Sequence, residues 1–241
     1  MNERNGIIAI LDALGASTYS KDEIAQFLDS RQRVLSLLDK KVERVLGTVD
    51  ASRVSTFTFN DTVVIAYETA QAVCLDDIRA FCTVLRHFEV KSFAQGILFR
   101  GAVSIGSFYS DGETNTIMGK AVTDAAAWYD QADWIGIAAT PQASLLIRSH
   151  EQQNKQDIQN VMIDYPLPMK DHTQISLRVV NWPKGFYVKG VRPQAEGEKP
   201  RAKCLALLAR GGVPKGTEAK YFNTVTFFDF CVAHWKSKKQ K

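Results

Sequence analysis

A continuous apolar run, Ile7-Ile8-Ala9-Ile10-Leu11, stops at Asp12 and the turn-capable Leu14-Gly15. Without alternation, such a run predicts a strand buried on both faces. Between Asp22 and Leu46 the apolar residues Ile24, Phe27, Leu28, Leu35, Leu38, Val42 and Val45 recur, mostly three or four positions apart. Charged residues fill the gaps, which predicts a long amphipathic helix. Residues 54–59 alternate as a strand, Asn60-Asp61 supplies a turn and residues 63–67 resume as a strand. That is a hairpin pattern. A second helix is predicted over 70–91, with Val73, Ile78, Phe81, Leu85 and Phe88 on its buried side.

Residues 96–106 read as a longer strand, and Asp111-Gly112 as a turn beyond it. An Ala-rich helix follows over 121–132 and an apolar strand over 134–139. Pro141 opens the next helix at its first position, where the missing N–H costs nothing. Residues 150–175 are polar and show no clear period, and 175–180 reads as a strand. Residues 192–201 form a Pro- and charge-rich loop, and a last helix starts near Tyr221, ending in the basic tail 236–241. The order is βαββαβ with additions. It predicts an α+β protein of ferredoxin-like arrangement, an antiparallel sheet carrying helices on one face. Residues 1–145 are expected to form the core, and 146–241 a C-terminal extension completing the same domain.

Composition narrows the possible functions. With 241 residues, 45% of them hydrophobic, the chain can bury a sizeable core, which excludes general disorder. No apolar run approaches the roughly 18–20 residues of a membrane span. The polar start shows no cleavable leader, so a cytoplasmic protein is expected. Cys74, Cys82, Cys204 and Cys231 show no CxxC spacing, and His87, His150, His172 and His234 are scattered. A disulfide framework, a zinc site and a His-based triad therefore lack support. The net charge of +4 is too mild to mark a nucleic-acid binder. It is unevenly spread: residues 182–241 carry 13 basic and 4 acidic residues, and residues 1–181 carry 17 and 22.

The predicted topology sets the first strand beside the third and joins the second to the third by the hairpin. Asp12, ending the first strand, and Asp61, at the hairpin tip, then share one edge of the sheet. Two such carboxylates are hard ligands suited to Mg²⁺ or Mn²⁺. A pair of ions held this way is a recurrent device for phosphoryl chemistry. The small segment Leu14-Gly15-Ala16-Ser17-Thr18 follows at a helix start, where backbone N–H groups receive phosphate. Each Asp also has an ordinary structural use, as a helix cap or a hairpin turn.

Ile10-Leu11-Asp12-Ala13-Leu14-Gly15 and Phe59-Asn60-Asp61-Thr62 resemble the two metal-carboxylate motifs of class III nucleotide cyclases. Residues 100–106, RGAVSIG, resemble their central strand, and 118–127, MGKAVTDAAA, their dimer-interface turn and helix. The combination FNDT, FRGAVSIG and ADWIGI resembles, more narrowly, the pyrimidine cyclases of bacterial Pycsar anti-phage systems. The likeness covers about residues 5–140. Purine cyclases usually carry an Asn and an Arg on the interface helix, where this chain has Thr123 and Ala127. Their two base-selecting positions fall at Phe57 and Thr116. An aromatic plus a small hydroxyl suits a smaller, pyrimidine base.

The resemblance implies a homodimer with sites at the interface. It also implies two Mn²⁺ or Mg²⁺ ions held at Asp12, Ala13 and Asp61, and substrate contacts at Ala16, Ser17, Phe57, Thr116 and Thr123. UTP, or else CTP, would be cyclised to a messenger for a separate effector. Arg100 is the candidate for the missing transition-state cation, and part of the basic segment between Lys184 and Lys203 is expected to approach the triphosphate. A catalytically dead nucleotide-binding relative is the rival reading. Trp128 and Tyr129 are expected to be interface or core aromatics. No sensor segment precedes the first strand, so activation is expected to act on this domain or through another molecule.

Overall fold

The computed structural model describes residues 3–16 and 19–238. Its first strand, β1 (Arg4–Ala13), is followed by α1 (Lys21–Ala51), which breaks at Gly47 where φ is 78°. The hairpin strands β2 (Val54–Phe59) and β3 (Thr62–Glu68) come next, then α2 (Leu75–Gln95) and β4 (Phe99–Asp111). These six elements form the ferredoxin-like βαββαβ unit, its strands ordered β2-β3-β1-β4 and antiparallel throughout.

Later elements extend that sheet. β5 (Thr116–Met118) pairs with the far end of β4, and α3 (Lys120–Trp128) leads to β6 (Gly136–Ala139), which lies parallel to β4. After α4 (Pro141–Asn154) the strands β7 (Met162–Pro168) and β8 (Gln174–Val180) continue the sheet in the order β6-β8-β7. A 3-10 turn at Trp182–Tyr187, α5 (Pro200–Ala209) and α6 (Glu218–Lys238) complete the chain. α4 runs through position 145, and the sheet continues without interruption across it.

β1 is central because its residues are apolar on both faces. Ile7, Ala9, Leu11 and Ala13 pack under α1 and α2, in one cluster with Phe27, Leu38, Phe81 and Phe88. Ile8 and Ile10 point the other way, into a second cluster with Phe57, Val64, Ala102, Phe108, Ala121 and Ala125. The helices of the βαββαβ unit thus cover one face, and the added α3 lies on the opposite one. Asp12 continues the Ile8–Ile10 row, because side chains two apart on a strand share a face.

Two glycines make this packing possible. A Cβ on Gly101 would lie 2.4 Å from the Ile10 carbonyl oxygen, so only glycine lets β4 lie this close to β1. Gly119, with φ at 126°, starts α3 against Phe108, whose Cα would be 2.7 Å from an added Cβ.

The extension has its own core of large aromatics. Trp134, Tyr165, Trp182, Phe186, Phe227 and Phe228 gather on the strands β6, β7 and β8 and under α6. Trp134 meets Phe227 edge-on at 5.0 Å. Three of the basic residues between Lys184 and Lys203 have partners within this extension, whereas Lys189, Arg192 and Lys199 are exposed. Lys184 lies over the Trp235 ring at 4.8 Å. Arg201 pairs with both oxygens of Asp229 at 2.7 and 2.8 Å, and Lys203 lies 3.5 Å from Glu198.

Candidate functional site

The antiparallel register sets Asp12 of β1 directly opposite Arg100 of β4. Arg100 donates from Nε and Nη2 to the same carboxylate oxygen, Oδ2 of Asp12, at 3.0 Å each. Both side chains are mostly buried, 14% exposed for Asp12 and 16% for Arg100. Burial pushes the Asp12 carboxyl above the usual carboxylate range. Arg100 opposes that rise, and the negative charges of Asp61 and Asp130 add to it.

Asp61 stands at the hairpin tip. The turn is a two-residue one, and Asn60 takes the positive φ of 52° that it requires, which asparagine tolerates well. Two contacts fix its place: the Ala13 N–H donates to the Asp61 carbonyl at 3.2 Å, and Arg31 of α1 donates to the Asn60 carbonyl. Arg31 also lies over the Phe27 ring at 5.5 Å. The hairpin tip is therefore bonded to β1 and to α1, and it delivers a carboxylate beside Asp12.

Further groups surround the pair: Tyr129, expected as an interface or core aromatic, and Asp130 with Lys170, which the sequence did not single out. Tyr129, at the C-terminal end of α3, packs against the Ile8–Ile10 cluster. Burial raises its phenol pKa, as do the charges of Asp12, Asp130 and Asp61. Asp130 is held by Lys170 at 2.9 Å and by Gln131 at 2.7 Å. Burial alone would raise its carboxyl, but Lys170 prevails and holds it below the usual range. The sequence carried no signal for the Asp130–Lys170 pair, because Lys170 arrives from the β7–β8 loop, 40 residues away.

Of the other expected site residues, Ala13 and Ala16 stand beside Asp61. Ala13 is buried in the core beneath α1 and α2. Ala16 lines a groove of about 420 Å³ with Tyr19, Ile24, Phe27, Leu28, Asn60 and Asp61. Ser17 lies outside the described residues. Thr123 is exposed on α3. Thr116 bonds to the Thr114 carbonyl at 3.2 Å, on an arm whose neighbour Asn115 reaches back to the Thr58 carbonyl at 3.1 Å. Phe57 is 1% exposed and shut in among Ile10, Val64, Ala102 and Phe108. It is a core residue with no free ring face to offer a base, which corrects the expectation drawn from its position.

The carboxylate pair fits a hard divalent cation. Arg100 takes only Oδ2 of Asp12, and among the described residues no side chain donates to the Asp61 carboxylate. No group of three or more His, Cys, Asp or Glu side chains converges as a metal site among the described residues. Two carboxylates leave most of an ion's shell to water, backbone oxygen or substrate phosphate, which is usual for Mg²⁺. No helix among the described residues is long and apolar enough to cross a membrane.

No family model matches the sequence, and no curated protein matches it. Among solved structures, the chain is similar to the catalytic core of a rhodopsin-guanylyl cyclase with converted specificity, in complex with ATPαS. Identity is 11% and the TM-score 0.46, over 75% of this chain and 97% of that one.

Proposed function

We propose that this chain is a nucleotide cyclase that converts a pyrimidine nucleoside triphosphate, UTP or else CTP, to its 3′,5′-cyclic monophosphate and pyrophosphate. The observation that carries the reading is the meeting of Asp12, Asp61 and Arg100 at one edge of the sheet, reached from three separate strands or turns. In the reaction the ribose 3′-oxygen bonds to the α-phosphorus as the bond to the pyrophosphate oxygen breaks, and the hydroxyl proton leaves to solvent.

Asp12 and Asp61 would hold Mn²⁺ or Mg²⁺, two ions in each site. A bound divalent ion supplies Lewis acidity to the phosphates and favours ionisation of the 3′-hydroxyl. Arg100 already lies against Asp12 and is placed to turn toward charge that develops on the phosphates. The exposed small residues of α3, with Met118 beside them, offer a surface on which a second copy could pack and complete the site. The cyclic product would act as a messenger for a separate effector, as in the anti-phage systems that the motifs resemble.

Thr123 and Ala127, standing where an Asn and an Arg are usual, favour a second reading, a nucleotide-binding protein without turnover. Incubation of the purified protein with each of the four ribonucleoside triphosphates and Mn²⁺ separates the two. Cyclic UMP or CMP that disappears in Asp61→Ala supports the cyclase.

A further inference from the structure

A single row of side chains crosses the face of the sheet that α3 partly covers. Phe59 pairs with Thr62, Thr62 with Asp12, and Asp12 with Arg100, each directly across a strand boundary. Residues directly opposite in a ladder present their side chains to the same face. The next row inward is Phe57–Val64–Ile10–Ala102, which α3 seals. Sealing ends there. Phe59 is 42% exposed, whereas Phe57, two residues before it on the same face, is closed off.

An exposed phenylalanine therefore stands two strands from Asp12, about 10 Å away at the usual strand spacing. That is comparable to the reach of a nucleotide from its α-phosphate to its base. Thr62 lies between them, with a small hydroxyl level with the sugar. We propose that Phe59 is the base-stacking residue of this site. The phosphates lie at the Asp12–Arg100 end of the row, the ribose crosses Thr62, and the pyrimidine ring lies on Phe59.

This rests on the cyclase reading and sharpens its specificity. An aromatic platform holds any base by its π-face and favours no hydrogen-bonding edge. Phe59 thus contributes affinity for the base, and the choice between uracil and cytosine falls to other groups.

The test compares wild type with Phe59→Leu, which keeps an apolar side chain but removes the ring, and Phe59→Trp, which restores a ring. Three quantities are read: KM and kcat for UTP with Mn²⁺, affinity for a non-hydrolysable UTP analogue with Mn²⁺, and mass in solution. Base–aromatic stacking is worth about 1–3 kcal/mol, so Phe59→Leu should raise KM and weaken the analogue about 5- to 100-fold. kcat should stay within about twofold, the assembly should keep its mass, and Phe59→Trp should recover most of the affinity.

Analogue affinity within twofold of wild type in Phe59→Leu overturns the assignment while leaving the cyclase reading intact. A loss of affinity that only follows a loss of assembly also overturns it. If wild type cyclises no triphosphate, the cyclase reading falls and the analogue decides Phe59 alone. Ring-dependent binding then keeps Phe59 as a base contact, and ring-independent or absent binding removes it.

Discussion

Arg100 directs two N–H donors at one oxygen of Asp12, leaving the second oxygen outside that pair. The two residues are register partners on adjacent strands, so the contact is built into the sheet. It places a cation beside a candidate metal ligand, and in the proposed reaction Arg100 would move from Asp12 to phosphate.

Arg100→Ala should therefore separate binding from turnover. Removing one transition-state donor typically costs about 10²–10³ in kcat. Mn²⁺ affinity, read by paramagnetic resonance of the ion, should hold or tighten, because a competing cation has left Asp12. Equal losses of turnover and Mn²⁺ affinity would instead show that Arg100 only keeps Asp12 in place.

Gly101 is the neighbour that keeps this register close. In Gly101→Ala the new Cβ would meet the Ile10 carbonyl oxygen at 2.4 Å and a Leu11 methyl at 2.6 Å. A backbone oxygen in a central strand cannot move aside, so a loss of about 2–3 kcal/mol is expected in urea unfolding. Gly112 has open space around it, and Gly112→Ala provides the control.

The βαββαβ order was legible in the sequence because each element carried its own local signal, an unbroken apolar run for β1 and a helical or alternating pattern for the rest. The hairpin turn at Asn60-Asp61 and the helix start at Pro141 were legible for the same reason. β7 was not, because Pro166 and Pro168 interrupt its pattern. It is the last strand of the sheet, where a missing N–H is tolerated. α5 was hidden at the end of a stretch dominated by Pro and charge, although Pro200 opens it in the usual way. Of the site, Asp12 and Asp61 followed from topology. Phe57 was assigned from its place in the motif, and its closure depends on how far α3 extends over the face, while the Asp130–Lys170 pair needs contacts too long-range for any local pattern.

The C-terminal extension should be indispensable to folding. β6 is covered by β8, and Trp134 lies against Tyr165 and Phe227 from the later segment. A fragment of residues 1–145 would cut α4 and expose that aromatic surface. It should lack a cooperative thermal transition, as followed by circular dichroism. A cooperative transition in that fragment would show that the core folds alone.

Two buried groups on α2 make opposing contributions to stability with pH. Burial raises the Glu89 carboxyl well above its usual value, and neither oxygen has a hydrogen-bond partner. The stability linked to its proton is full below about pH 4.5 and is lost as pH rises toward the folded value. His87 is lowered to about 4, mainly by burial and then by Lys91, Lys41, Arg44 and Arg86, so its contribution is full above about pH 6.5 and lost on acidification toward 4. Glu89→Gln should remove the first and unmask the second. The variant should gain over wild type at pH 8, gain less at pH 5, and lose stability from pH 6.5 toward 4, by at most about 1.4 kcal/mol per pH unit. A gain independent of pH would contradict this assignment of Glu89.

The central claim is that Asp12 and Asp61 support cyclisation of a pyrimidine nucleotide. It is tested most directly by chromatography of the products formed from ATP, GTP, CTP and UTP with Mn²⁺, for wild type and Asp61→Ala side by side. The account predicts cyclic UMP or cyclic CMP with wild type and none with the variant. No cyclic product from any of the four, or turnover that survives Asp61→Ala, would contradict it.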